Sequence, residues 1–231
     1  MGKSSSESKK KKRLSADQRQ EVLLKVAAEV FLEKGYEATS LDDIISRAGG
    51  SRRNIYTQFG GKEGLFKALV TQITDNALAP MAQAPDLEGD FRQSLRDHAD
   101  TMLSALFTPN VLDLSRLALS DGIRFPELAE LYYNAGPGRA MESLTQLFTL
   151  AQKNGEISCK DCGFAASQFV GMMRDNIHLQ VLLRLREAPD QEEMTVMIEN
   201  ALDIFYTASR SANHDKNAIR ATKKKGSLLL P

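Results

Sequence analysis

The chain has 231 residues, 30 basic and 30 acidic side chains, 42% apolar and 6% aromatic content, and no formal net charge. These values suit a globular protein of one large or two small domains with a sizeable core. No apolar run approaches the ~18 residues a membrane span needs. The lysine-rich N-terminus lacks the apolar stretch of a secretory leader, and two cysteines do not make a disulfide scaffold.

The zero net charge hides an asymmetry. Residues 1–70 carry a net +5, residues 71–209 a net −10 and residues 210–231 a net +5. A basic N-terminal part on an acidic body points to a polyanionic partner for the N-terminal part alone.

Residues 1–13 are lysine-rich, without apolar residues after Met1, and read as a disordered basic arm. Ser15 with Gln18 fits a capping box. Apolar residues then recur at helical spacing from Val22 to Phe31, and Gly35 ends the run. Ser40 with Asp43 opens a short helix to about Ala48, and Gly49-Gly50 forms a turn. Ser51 caps a third helix, roughly Arg52 to Gln58. Gly60-Gly61 breaks the chain again before a longer helix from Lys62. Pro80 and Pro85 mark a loop or hinge. Amphipathic helices are expected near 90–107, 110–122, 126–135, 137–153, 162–186 and 190–209. Sustained β alternation is absent, so the fold is expected to be all-α. The tail from 210 is basic and weakly patterned.

The second and third helices are short, capped and joined by a glycine turn, which is a helix-turn-helix layout. In this layout the later helix enters the DNA major groove and its N-terminal residues meet base edges. The stretch "SRRNIYTQF" has the required chemistry. Arg suits guanine, Asn and Gln suit adenine, and hydroxyls and lysines anchor phosphates. Helical geometry turns Ile55 inward toward Ile44 and Phe31 and sets Phe59 at the helix exit. Ser51, Arg52, Arg53, Asn54, Tyr56 and Thr57 are therefore the DNA-reading candidates. Ser40 and Lys62 are candidate phosphate anchors, and the basic arm is a candidate for further phosphate or minor-groove contacts.

Residues 21–69, with "AAEVFLEKGYEATS", "DDII", "AG-x-S-x-x-x-I-Y-x-x-F" and "KEGLF" in order, resemble the DNA-binding domain of the TetR/AcrR regulators. The resemblance implies an all-α protein. A three-helix reading head would be tied by a linking helix to a helical domain that binds a small molecule and dimerises. It also implies a phosphate contact for Tyr56. Three positions depart from the usual pattern: Gly50 for a valine, Asn54 for a threonine and Gln58 for a histidine. "RFPELAELYYNAGPGRAMESL" (124–144) resembles a subgroup of efflux and stress regulators.

In the C-terminal part, soft and aromatic residues are core by default, but helical ligand cavities use the same types. The effector-site candidates are His98, Met102, Phe125, Tyr132, Phe148, Phe169, Met172, Met173 and Asn176. Arg174, Asp175 and Asn176 could supply polar contacts beside Met172 and Met173. "CKDC" (159–162) has zinc or redox spacing, but no second pair or histidine cluster completes four zinc ligands. It reads as a bystander, with redox sensing as the alternative. The apolar faces of the last two helices suit an intersubunit four-helix bundle, and a palindromic operator needs such a two-fold.

No P-loop, nucleophile elbow or zinc-protease motif occurs, so no enzyme and no cofactor is expected. The expected domains are an arm (1–13), a helix-turn-helix head (14–61), a linking helix with an effector and dimer domain (62–209) and a basic tail (210–231). The expected function is a cytoplasmic, homodimeric, one-component transcriptional repressor, released from double-stranded DNA by a small-molecule effector. Two readings compete with it: a redox sensor through Cys159 and Cys162, and a helical interaction protein that does not bind DNA.

Overall fold

The computed structural model describes residues 15–81 and 90–207, apart from the side chain of Asp175. The expected arm, the loop around Pro85 and the basic tail lie outside the described residues. Every described regular element is helical, as the patterning requires. The chain divides into two compact units between Leu69 and Val70.

In the first unit, α1 (Ala16–Ala38) begins at the Ser15/Gln18 capping box, with both reciprocal bonds made. Gly35 leaves helical geometry inside it (φ 78°), and one further turn follows to Ala38. The buried Thr39 hydroxyl donates back to the Gly35 carbonyl at 2.7 Å, tying off that turn. α2 (Leu41–Ala48) opens on the Ser40/Asp43 capping box, and α3 (Arg52–Phe59) opens on Ser51. Gly60 closes α3 in the left-handed conformation, the usual place for glycine.

The core of this unit joins Leu24, Ala27, Val30 and Phe31 of α1 to Ile44 of α2, Ile55 of α3 and Leu65 and Phe66 of α4 (Lys62–Leu78), each almost wholly buried. Phe31, Tyr36 and Phe66 meet pairwise, with ring centroids 5.3–5.7 Å apart. Contacts of this kind add roughly 0.5–1.5 kcal/mol per pair beyond burial.

The second unit starts within α4. A short 3₁₀ turn (Ala79–Met81) follows, and then α5 (Phe91–Leu106), α6 (Pro109–Asp121), α7 (Pro126–Ala135), α8 (Pro137–Lys153), α9 (Cys162–Leu182) and α10 (191–207). Pro109, Pro126 and Pro137 sit at first helical positions, where a missing N–H costs nothing. Phe91, Phe148, Phe169 and Phe205 cluster edge-to-face or tilted at the centre of the core.

The expected helix over 162–186 stops earlier, at Leu182. Arg184 takes a left-handed conformation (φ 57°), and its N–H and that of Leu185 bond back to Val181 and Gln180. The last carbonyls of α9 are also claimed from outside: Arg116 of α6 donates to the carbonyls of Val181 and Leu182 at 2.8 and 3.0 Å. α8 ends on the same pattern of back-bonds around Gly155, a residue legible as a stop.

Candidate nucleic-acid interface and ligand cavity

One buried side chain, Ile55, anchors α3 to its unit. Around it Ser51, Arg52, Arg53, Asn54, Tyr56, Thr57 and Gln58 are all exposed, and Phe59 is half-buried. The helix therefore presents amide, guanidinium and hydroxyl groups together on its open side. The two arginines differ. Arg52 grips Asp42 of α2 with both arms of its fork, Nε to Oδ1 at 2.7 Å and the second guanidinium nitrogen to Oδ2. This bond holds the Asp42 carboxyl below its ordinary pKa range. Arg53 has no ion-pair partner among the described residues. Beside α3, Tyr56 covers Gly61. A Cβ there would come within 3.2 Å of the Tyr56 ring, on a backbone already at φ 121°.

Two expected phosphate anchors are otherwise engaged. Lys62 directs its ammonium at the carbonyls of Tyr36, Glu37 and Thr39, at 2.9, 3.2 and 3.0 Å. An ammonium has three donors, so none remains for a phosphate in this geometry. Lys62 closes the end of α1 instead. The Ser40 hydroxyl donates to Asp43 Oδ2 at 2.6 Å, and its oxygen accepts the Asp43 N–H. Its sequence signature was that of a cap, and capping is what it does here.

In the second unit α4, α5, α6, α7, α8 and α9 line a partly open apolar cavity of about 200 Å³. Three of the nine expected effector residues line it: Met102, Tyr132 and Met173. Thr74, Ala77 and Leu78 of α4 form another part of the wall, with Leu106, Tyr133, Met141 and Val170. The α4 residues carried no cavity signal in the sequence, because a helix read from its N-terminal half looks like a connector.

The other six lie elsewhere. Phe148 and Phe169 are consumed by the aromatic core. His98 is half-buried, with Nδ1 at 3.1 Å from the Ser94 carbonyl and Nε2 at 3.4 Å from Ser143 Oγ. Phe125 is the half-buried residue preceding α7. Met172 lines a separate apolar patch beside Cys159, Phe164 and Ile204. Asn176 is exposed.

Two of the cavity's polar groups, Tyr132 and Arg174, are held by side chains outside its lining. Ser115 donates to the Val111 carbonyl, so the Tyr132 hydroxyl donates to Ser115 Oγ at 2.5 Å. Arg174 lines the cavity and bonds His178 Nδ1 at 2.6 Å. A guanidinium only donates, so Nδ1 accepts and the ring proton sits on Nε2. That buried Nε2 has no partner among the described residues. Burial, reinforced by the neighbouring Arg174 charge, pushes the His178 pKa down to about 4 and keeps the ring neutral at pH 7. Burial likewise holds Arg174 below the ordinary guanidinium value.

The C-x-x-C pair is close, with Cys159 Sγ 2.7 Å from Cys162 Sγ and both thiols free. Burial and then Cys162 push the Cys159 thiol up to about 12, which keeps it protonated and poorly nucleophilic. Among the described residues no group of three or more His, Cys, Asp or Glu side chains is placed to hold a metal, and no helix is long and apolar enough to cross a membrane.

Comparisons with known proteins match both units. The sequence profile of bacterial regulatory proteins of the tetR family matches residues 23–69. That of the C-terminal domain of AefR-like transcriptional repressors matches residues 93–209. The helix-turn-helix-type transcriptional activator FasR of Mycolicibacterium smegmatis is 39% identical over 84 residues, which cover 36% of this chain and 38% of FasR. The match thus spans well under half the length of that relative. The helix-turn-helix-type regulator YezE of Bacillus subtilis is 27% identical over 148 residues, 63% of this chain and 76% of YezE. Among solved structures, the flavonoid-responsive regulator FrrA superposes with a TM-score of 0.72 at 29% identity, covering 84% of this chain and 97% of FrrA.

Proposed function

The chain belongs to the TetR family of bacterial regulatory proteins, and on that premise we propose that it is a cytoplasmic, one-component transcriptional repressor. The observation that carries the reading is the open side of α3. Six polar residues from Ser51 to Thr57 surround one buried anchor, Ile55, on a helix followed by a glycine stop. Arg53, Asn54, Tyr56 and Thr57 meet the DNA directly, and Arg52 meets it by exchanging Asp42 for a base or phosphate.

The operator is palindromic because the protein is a homodimer. The support is the outer face of α9 and α10. Phe164, Leu179, Leu183, Val196 and Ile204 are each more than half exposed there, an apolar surface suited to a second copy. The helices expected for this role are retained, with Leu179 and Leu183 of their expected apolar faces left open. Phe169, Met173, Met194, Ile198, Ala201 and Leu202 belong to the chain's own core.

A small molecule in the cavity of the second unit releases the DNA. Helix α4 is the coupling element. It supplies Leu65 and Phe66 to the core of the reading head and Thr74, Ala77 and Leu78 to the cavity wall. An effector shifts the balance only through its different affinity for two conformers. FrrA's description as flavonoid-responsive supports a compact organic effector.

The test is selection of the purified protein against a random duplex library at two salt concentrations. Enrichment of a two-fold symmetric site with salt-dependent affinity is the expected result. Binding without enrichment would sink the operator reading, and no binding at all would favour the helical interaction protein.

A further inference from the structure

The second unit is rich in acid, and most of its described arginines use it. Arg92, Arg96, Arg116, Arg139 and Arg186 each bond a carboxylate at 2.5–3.0 Å. Arg174 pairs with no carboxylate among the described residues; its hydrogen bond runs to a neutral imidazole. It is half-buried and faces an apolar space, with Met102, Met173, Val170 and the two tyrosines around it. A guanidinium has five N–H donors in a planar fork, and His178 takes one of them.

Keeping a charge out of water without a counter-charge is costly, and a hydrophobic residue of similar volume would normally be more stable there. The arrangement makes sense if the counter-ion arrives with the ligand. Arginine is the side chain best matched to a carboxylate, which it binds through two parallel hydrogen bonds. His178 fixes the fork from the far side, since its Nδ1 can only accept. Tyr132 sits on the same wall with its hydroxyl proton directed to Ser115. Its remaining lone pairs are acceptors, so Tyr132 offers a carboxylate no donor and the charge on this wall is that of Arg174. The volume, about 200 Å³, is below the ~300–1,000 Å³ of drug-sized pockets and sets a compact body.

We propose that the cavity lined by α4 to α9 binds a small apolar monocarboxylate, its carboxylate on the Arg174 guanidinium and its hydrocarbon or aromatic body against Met102, Val170 and Met173. This rests on the effector reading above and gives that effector a charge. Calorimetric titration of the full chain with 3-phenylpropanoate and octanoate, beside the matched alcohols 3-phenylpropan-1-ol and octan-1-ol, tests it. The acids bind at least about tenfold more tightly than the alcohols, the difference one charge-assisted pair supplies. Arg174→Gln abolishes that preference while leaving the alcohols' affinity in place, which also shows that the cavity is still folded. Arg174→Lys keeps part of it. Equal affinity for acid and alcohol, a preference that survives Arg174→Gln, or no binding of either acid at millimolar concentration overturns the proposal. Operator selection on the ligand-free protein is independent of all three outcomes, so this inference can fail while the regulator reading stands.

Discussion

Lys62 Nζ lies 4.5 Å from the centroid of the Tyr36 ring and donates to the carbonyl of the same residue at 2.9 Å. One side chain thereby ties the start of α4 to the end of α1, where helix carbonyls have no partners of their own. Lys62→Met should lower the stability of the first unit by about 1–3 kcal/mol, from the lost charge-assisted bonds and the cation–π contact. Urea unfolding measures this. The slope of log affinity against log salt for DNA should stay the same. A slope flatter by about one would instead place Lys62 on a phosphate.

The Arg52–Asp42 clasp gives the second expectation. Asp42 competes with DNA for the Arg52 fork and places a negative charge beside the reading helix. Asp42→Asn should raise affinity for random-sequence duplex about threefold to tenfold and steepen the salt dependence, because one more cation is free to displace counter-ions. Thermal stability should barely move, since the pair is exposed. Fluorescence anisotropy titrations at two salt concentrations read both quantities. Unchanged affinity would mean that Arg52 stays on Asp42 in the complex.

His178 sets a pH limit. Its folded pKa, about 4, lies below the ordinary histidine value, so the unfolded chain binds more protons between the two. The stability that His178 contributes is therefore full above about pH 6.5 and falls as the pH drops toward 4. The loss should be about 2 kcal/mol over that window. His178→Gln, which can still accept from Arg174, should flatten the acid limb of a stability-against-pH curve between pH 6.5 and 4. An identical curve for the variant would assign the acid sensitivity to other groups.

The exposed apolar face of α9 and α10 should be an intersubunit surface. Leu183→Asp should shift the protein from dimer to monomer in sedimentation equilibrium without loss of helicity, because Leu183 is 60% exposed in the single chain. Operator affinity should fall with it, since two half-sites would no longer be read together. A wild-type protein that sediments as a monomer at micromolar concentration would remove the face from consideration.

The sequence by itself determined the helices, their starts and the reading head. Ser15, Ser40 and Ser51 lie three residues before the groups they cap. Prolines open three helices and glycines at positive φ close others, while the 3.6-residue period places Ile55 inward. All of these act over a few residues, so neighbours in the chain carry the whole signal.

Tertiary structure decided what depends on residues distant in sequence. Lys62 has the composition of a phosphate anchor and the position of a helix clasp, because its acceptors stand 23 to 26 residues earlier. The end of α9 is held by Arg116, more than sixty residues away. Phe148 and Phe169 could line a cavity or fill a core, and their type is the same in both. Only packing separates them from Met102, Tyr132 and Met173. Arg174 reads as one of three neighbouring polar residues that could meet a ligand, and only the fold puts it on the cavity wall with no ion pair to a described carboxylate. A charge takes its meaning from what lies within a few ångströms, and that distance is not written in residue order.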